Sequence, residues 1–138
     1  MKVQYGMACL LSLILLSACG VKRDLKGAGR GAEVQHVDVL EAAKLIDPSK
    51  EITVIDVRTP DEFVSGAIEG ARNLDVQSAS FKQQVEALDR EKPYLIYCRS
   101  GNRSSRALTV FQEAGFTHLY HLEGGIKAWN KAGLPLKP

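Results

Sequence analysis

The most informative segment of the chain is Tyr94-Leu95-Ile96-Tyr97-Cys98-Arg99-Ser100-Gly101-Asn102-Arg103-Ser104. Its first four residues are aromatic or aliphatic and predict a buried strand. The apolar spacing that follows predicts a helix from Ser104 to Ala114, ended by Gly115. A strand that passes through a polar loop into a helix is a repeating unit of α/β folds. The sequence therefore predicts an α/β protein with a central, mostly parallel sheet flanked by helices on both faces.

The rest of the chain from residue 34 onward alternates in the same way between strand-like and helix-like patterns. Further strands are predicted at Ile52 to Val57, Arg72 to Val76 and His118 to Leu122, and further helices at Asp38 to Ile46, Phe81 to Leu88 and Ile126 to Ala132. Thr59 and Glu62 have the spacing of a capping box, and Pro60 fits the first turn of the short helix that they begin. Residues 34–138 are thus predicted to form one domain.

The first eighteen residues read as a secretory signal. Lys2 precedes an apolar run from Met7 to Leu16 that is too short to remain in a bilayer as a spanning helix. The run ends in Leu16-Ser-Ala-Cys19, which resembles the lipobox of bacterial lipoproteins, and in that family the cysteine carries diacylglycerol and begins the mature chain. The alternative is an ordinary signal in which Cys19 is incidental. Residues 19–33, rich in glycine and basic side chains, are predicted to be a flexible tether.

This resemblance implies a location in the bacterial cell envelope, with the protein anchored to a membrane by the lipid on Cys19 and facing the periplasm. Gly20 follows the cysteine in place of the aspartate associated with retention in the inner membrane, so the outer membrane is the predicted site of attachment.

Composition and cysteine usage narrow the functional classes. The formal net charge of +2 gives no electrostatic case for binding nucleic acid. The chain has three cysteines, of which Cys9 would leave with the signal and Cys19 would carry the lipid. Cys98 is then the free thiol of the mature protein, and an unpaired cysteine in an exported chain is either buried and inert or reactive.

The position of Cys98 favours a reactive thiol. The backbone N–H groups of the loop and of the helix start lack intrahelical partners, and together with Arg99 and Arg103 they would stabilise a thiolate. The sequence therefore predicts an acidic and accessible thiol at Cys98 rather than a buried structural cysteine.

The loop resembles the active-site loop of the rhodanese family of sulfurtransferases, and the similarity extends over most of residues 34–135. The motifs that support it are Asp56-Val-Arg58, Glu62-Phe63, Gly66-Ala-Ile-Glu-Gly-Ala71 with Asn73, and Glu123-Gly-Gly125 with Trp129, Gly133 and Pro135. The resemblance implies that Cys98 takes the outer sulfur of a donor such as thiosulfate as a persulfide and passes it to cyanide or a thiol. It also implies that the persulfide is surrounded by Arg99, Ser100, Gly101, Asn102, Arg103 and Ser104, with Arg103 closing the loop through hydrogen bonds.

Other motif residues are interpreted as support. Asp56 and Arg58 are expected to fix neighbouring loops by hydrogen bonds, Trp129 to pack in the core or at its rim, and Gly124-Gly125 to form a turn with positive φ. One position departs from the family, since many members have histidine where this chain has Ala67, and this difference bears on packing or substrate access more than on the chemistry.

No metal site or other cofactor is predicted. His118 and His121 lie three apart on a predicted strand, so their side chains point to opposite faces, and neither they nor His36 belong to a cluster with ligand spacing. The expected partners are a small-molecule sulfur donor and acceptor, the membrane, and a thiol reductant or acceptor protein.

Two other functions compete with sulfur transfer. Phosphatases and arsenate reductases also use a cysteine and an arginine around an anion-binding loop, but the related phosphatases have one more residue than the four that separate Cys98 from Arg103. The loop also has no aspartate to act as a general acid. The second alternative is a binding or thiol-sensing module that carries a persulfide and turns over slowly.

Overall fold

A computed structural model describes residues 31–138 of the chain. The predicted signal peptide, Cys19 and all but the last three residues of the predicted tether lie outside this range. Of the last three, Ala32 accepts a hydrogen bond of 2.8 Å from the side chain of Gln112 through its carbonyl oxygen. Within residues 31–138, no helix has both the length and the apolar character needed to cross a membrane.

Five parallel strands form the centre of the molecule, in the order β1-β5-β4-β2-β3. The strands are β1 (Val34–Val37), β2 (Thr53–Asp56), β3 (Arg72–Asn73), β4 (Pro93–Tyr97) and β5 (His118–Leu122). The predicted parallel sheet is confirmed. Because all strands run in the same direction, the carboxyl ends of β2, β4 and β5 lie at one edge, where ligand sites of open α/β sheets are built.

Residues 31–138 form five helices, and helices lie on both faces of the sheet, as predicted. They are α1 (Val39–Leu45), α2 (Pro60–Val64), α3 (Phe81–Glu86), α4 (Asn102–Glu113) and α5 (Gly125–Lys131). Residues of α3 and α4 pack in one core, and residues of α1 and α5 pack in the other. Successive residues of β4 alternate between these two cores, which places Cys98 on the α4 side.

The first turns of α1 and α2 are capped by the predicted side chains. Asp38 and Thr59 are N-caps, and each forms a complete capping box with the glutamate three residues on, Glu41 or Glu62. Pro60 lies in the first turn of α2, where its missing N–H costs no hydrogen bond. Both capping predictions are confirmed.

Several elements differ from the prediction. Strand β1 was not anticipated, because Gln35 and His36 at its centre are exposed and polar. Strand β3 ends at Asn73 rather than Val76. Helix α4 begins at Asn102, two residues before the apolar pattern, because Gly101 adopts a φ of 110° and turns the chain into the helix early.

Candidate active site

Cys98 follows the last residue of β4, and its side chain lies inside the molecule. The residue is only 1% exposed, so the predicted accessible thiol is wrong. The early start of α4 accounts for the difference, because residues 99–103 turn back over the sulfur instead of leaving it at the end of an open loop.

The surroundings of the Cys98 sulfur are nevertheless rich in hydrogen-bond donors. The Gly101 N–H donates to Sγ at 3.1 Å, and the Ser104 hydroxyl donates to it at 3.3 Å. Burial by itself raises the pKa of the Cys98 thiol, but hydrogen bonds from the Ser104 hydroxyl and from the N–H groups of Ser104, Gly101 and Ser100 lower it by more. The net pKa lies below the ordinary value, which favours the thiolate that acts as a nucleophile.

The first turn of α5 holds the backbone of this loop in place. The Ile126 N–H donates to the Cys98 carbonyl at 2.9 Å, and the Lys127 N–H donates to the Arg99 carbonyl at 3.1 Å. Gly125 makes this approach possible, because a Cβ there would lie 2.4 Å from the Cys98 carbonyl oxygen. Gly124 and Gly125 have φ values of 71° and 58°, which confirms the predicted turn.

Arg103 joins the loop to α2. Its Nη1 and Nη2 donate to Oε2 and Oε1 of Glu62 at 2.6 and 2.7 Å, a bidentate pair. The Arg103 guanidinium lowers the pKa of the Glu62 carboxyl to about 2. The hydrogen bonds of the Arg103 side chain thus run to Glu62, and much of its charge is neutralised there rather than directed at the sulfur.

The remaining predicted loop residues divide by exposure. Arg99, Ser100 and Asn102 are exposed, whereas Gly101 and Ser104 are buried against the sulfur. The Arg99 guanidinium forms neither a hydrogen bond nor an ion pair with any side chain among residues 31–138. Arg99 is therefore the loop cation that is free to meet an anion from solvent.

Asp56 and Arg58 form a buried ion pair at the end of β2. Arg58 Nη2 donates to Asp56 Oδ2 at 2.6 Å and to the Gly66 carbonyl at 2.8 Å, and both residues are less than 5% exposed. The Asn73 side chain donates to the carbonyl oxygens of both residues. This network fixes the segment that leads into α2, and hence the position of Glu62.

His121 reaches the site from β5, and its contact with the site was not predicted. Its Nε2 lies 2.7 Å from the Ser104 hydroxyl, and its Nδ1 lies 3.2 Å from Nδ1 of His36 on β1. A signal was present in the sequence: His121 lies between Tyr120 and Leu122 near the carboxyl end of a predicted strand. His121 is 4% exposed and His118 is exposed, which confirms that the two point to opposite faces.

In the part of the chain that the structure describes, no group of three or more histidine, cysteine, aspartate and glutamate side chains is arranged to hold a metal ion.

A family model described as the Rhodanese-like domain matches residues 38–132. The chain belongs to this family. Among curated relatives, a protein named sulfurtransferase from Allochromatium vinosum is 29% identical over 103 residues, which are 75% of this chain and 94% of the relative. MoeZ from Mycobacterium tuberculosis is 32% identical over 117 residues, covering 85% of this chain but only 29% of MoeZ. The rhodanese-like domain thus corresponds to less than a third of that longer relative.

Solved structures of the family share the fold of this rhodanese-like domain. A rhodanese-related protein from Thermoplasma volcanium superposes with a TM-score of 0.65 at 28% identity, covering 75% of this chain and 97% of that protein. A rhodanese-like domain protein from Staphylococcus aureus gives a TM-score of 0.64 at 25% identity, covering 75% of this chain and 99% of that one.

In this rhodanese-like domain, Ala67, the position that departs from the family pattern, lies in a short backbone bridge. The backbone N–H and carbonyl of Ala67 pair with those of Lys137, both at 2.8 Å, in an isolated antiparallel bridge. The Ala67 residue is 5% exposed. The position therefore binds the carboxyl-terminal segment to the domain through its backbone.

Proposed function

We propose that this chain is a sulfurtransferase that carries sulfane sulfur as a persulfide on Cys98. The observation that carries the proposal is a cysteine sulfur that accepts hydrogen bonds from Gly101 and Ser104 at the start of α4, in a rhodanese-like domain. The lowered pKa of Cys98 supplies the nucleophile that such a reaction needs.

Sulfur transfer from thiosulfate would proceed in two displacements. The Cys98 thiolate attacks the outer sulfur of thiosulfate, a new S–S bond forms, and the S–S bond of the donor breaks as sulfite leaves with the electron pair. Cyanide or an acceptor thiolate then attacks the outer sulfur of the persulfide, and the electrons of the broken bond return to Cys98 as its thiolate. The persulfide anion would occupy the region of the same N–H and hydroxyl donors.

The surrounding residues have separate roles in this scheme. The exposed Arg99 attracts an anionic donor to the loop, and the N–H groups of Ser100 and Gly101 stabilise negative charge on sulfur. Arg103 holds the loop that surrounds the sulfur to α2 through its hydrogen bonds with Glu62. The buried Asp56–Arg58 pair fixes the segment that leads into α2 and so keeps Glu62 in reach of Arg103.

The burial of Cys98 favours a second candidate, a persulfide carrier with slow turnover. A thiol that is 1% exposed meets its donor only when residues 99–103 move, so each exchange would wait for that motion. Steady-state turnover separates the two functions, because a carrier loads sulfur completely but yields thiocyanate slowly when cyanide is in excess.

Mass spectrometry of the full chain tests the proposal. Incubation with thiosulfate should add one sulfur atom, and cyanide should then remove it and release thiocyanate. Cys98→Ser should take up no sulfur, whereas the control Cys19→Ala should load as the wild type does. Sulfur uptake by Cys98→Ser, or hydrolysis of an aryl phosphate by a wild-type protein that takes up no sulfur, would overturn the assignment.

We also propose that Cys19 carries a lipid that anchors the domain to the outer membrane of a bacterium, facing the periplasm. The support is the Leu16-Ser-Ala-Cys19 run that ends the apolar segment, with Gly20 after it. Small sulfur donors and acceptors, or an acceptor protein with a reactive thiol, would then be met in the envelope.

A further inference from the structure

Ser104 connects the thiol of Cys98 to an imidazole. Its hydroxyl oxygen lies 3.3 Å from Cys98 Sγ, 2.7 Å from His121 Nε2 and 3.0 Å from the Gly101 carbonyl oxygen. A serine hydroxyl has a single proton to donate, so these three neighbours cannot all accept from it. The direction of each hydrogen bond is therefore restricted.

The Gly101 carbonyl oxygen does not need the Ser104 proton. It already accepts from the backbone N–H of Ser105 at 3.0 Å and from the Ser105 hydroxyl at 2.8 Å. A carbonyl oxygen has two lone pairs, and these two donors fill them. The Ser104 proton is then available to the sulfur, which as a thiolate can only accept.

If Ser104 donates to sulfur, His121 must donate to Ser104. A neutral imidazole carries one proton, so an Nε2–H tautomer leaves Nδ1 of His121 as an acceptor. His36 Nδ1 lies 3.2 Å from that atom and is the donor to it. The Glu123 carboxylate, 3.6 Å from His36 Nδ1, favours a proton at this position of His36.

We propose that His121 is a positioning residue for Cys98. Held by His36 in the tautomer that carries its proton on Nε2, it donates to Ser104 and so directs the Ser104 hydroxyl proton to the Cys98 sulfur. The inference rests on the proposed function, because it explains how a buried thiol is kept as the nucleophile.

The charges around His121 agree with this tautomer. The titratable groups that face it are His36 on β1, Glu123 at the end of β5 and, across Ser104, Cys98 at the end of β4. Burial is the main cause that lowers the pKa of His121, and His36 lowers it further, whereas Glu123 and a hydrogen bond to the Gly101 backbone raise it. The net pKa is lowered, so His121 is neutral near pH 7 and has one proton to place.

The test is the pH dependence of Cys98 alkylation by iodoacetamide, followed in the full chain by peptide mass spectrometry. His121→Leu removes the donor to the Ser104 oxygen, so the hydrogen bond from Ser104 to the sulfur is no longer strengthened by it. The midpoint of the alkylation profile should therefore rise by roughly half a pH unit. His121→Gln keeps an N–H donor on a side chain of similar reach, so its midpoint should lie close to that of the wild type. His118→Leu, on the opposite face of the same strand, is the matched control and should leave the midpoint unchanged.

A double-mutant cycle tests whether Ser104 is the link. Ser104→Ala should raise the midpoint, and adding His121→Leu to it should produce no further rise, because the connection is already cut. Far-ultraviolet circular dichroism verifies that each variant is folded. If His121→Leu fails to fold, His36→Leu takes its place, because His36 is the exposed first member of the hydrogen bonds that lead through His121 and Ser104 to the sulfur. This variant should also raise the midpoint, by a smaller amount.

An unchanged midpoint in folded His121→Leu, or in His36→Leu if the former does not fold, would overturn the proposal. So would additive shifts in the double mutant, because they would mean that His121 acts on the sulfur without Ser104. The alkylation profile requires no sulfur transfer. A shift in the expected sense with no sulfur uptake would therefore overturn the proposed function and leave this inference standing.

Discussion

Burial and a lowered pKa act on the reactivity of Cys98 in opposite directions. The lowered pKa increases the thiolate fraction near neutral pH, while a residue exposure of 1% limits how often a reagent reaches the sulfur. The two effects are separable in one experiment, because the first sets the midpoint of a pH profile and the second sets its plateau.

We therefore predict two differences between folded and unfolded protein in iodoacetamide alkylation of Cys98. The folded chain should show a midpoint below the value of about 8.5 for a free thiol and a plateau rate below that of the unfolded chain. Unfolding in urea should raise both, with the same residue as its own control. A folded-state midpoint at or above the unfolded one would contradict the lowered pKa.

A second residue-scale prediction concerns Gly125. A Cβ at Gly125 would lie 2.4 Å from the Cys98 carbonyl oxygen and 2.7 Å from two backbone atoms of Arg99, and backbone atoms cannot rotate out of the way. Gly125→Ala should thus destabilise the domain by roughly 3–5 kcal/mol in urea unfolding, combining the positive φ with the clash. It should also reduce sulfur transfer more than tenfold.

Gly133 provides the matched control for that experiment. It has a φ of 74°, but a Cβ there would meet no atom within 4 Å. Gly133→Ala should cost about 1–2 kcal/mol and leave sulfur transfer unchanged. Equal losses of stability in the two variants would show that the approach of α5 to the loop is unimportant.

Among single residues, the sequence predicts Cys98 and its backbone donors but not the side-chain contacts between residues that are distant in sequence. Cys98 and Gly101 are three residues apart, so their contact follows from the local turn. The Arg103–Glu62 pair and the Ser104–His121 contact join residues distant in sequence, and only the packing of helices and strands brings them together.

At the scale of elements, the link between α2 and α4 depends on the ionisation of Glu62. The carboxyl has an ordinary pKa of 4.5 and a folded-state pKa of about 2, with the Arg103 hydrogen bonds as the largest cause. A lowered folded-state pKa stabilises the fold at pH values above the unfolded pKa, and this contribution disappears as the pH falls towards the folded value.

We predict that Glu62→Gln lowers the free energy of unfolding near pH 7 by about 1 kcal/mol, since the pair is only partly buried. Glutamine keeps the capping role at this position of α2, so the change isolates the charge. The difference from the wild type should shrink between pH about 4.5 and 2. Glu69→Gln is the matched control and should have no measurable effect, because both side chains of the Glu69–Lys137 pair are more than half exposed. A difference that stays constant down to pH 2 would contradict the lowered pKa.

Elements with strong apolar patterns were predicted with accurate limits, and those at edges or turns were not. The predicted residues 118–122 coincide with β5, which is largely buried. Helix α4 was predicted two residues short, because Asn102 and Arg103 have no apolar face and Gly101 starts the helix by its backbone conformation alone. Strand β1 has two exposed residues out of four and gives no alternation long enough to recognise.

At the scale of the whole molecule, the proposed anchor decides where the chemistry takes place. Metabolic labelling with palmitate in a bacterial host should mark the wild-type chain and the control Cys9→Ala, and Cys19→Ala should lose the label. Fractionation of the same cells should move the protein from the membrane to the soluble fraction. Label that persists in Cys19→Ala would show that the lipid is attached elsewhere or that the lipobox is not used.

Strand β1 links the outermost position of the sheet to the interior of the site. The family model begins at residue 38, so a fragment trimmed to that boundary would lack β1 entirely. Strand β5 would then lie at the edge, with the backbone N–H and carbonyl groups that face Val34–Val37 left unpaired and open to a strand from another molecule. Such a fragment would also lack His36. Its self-association and its altered thiol would have one cause, the loss of strand β1.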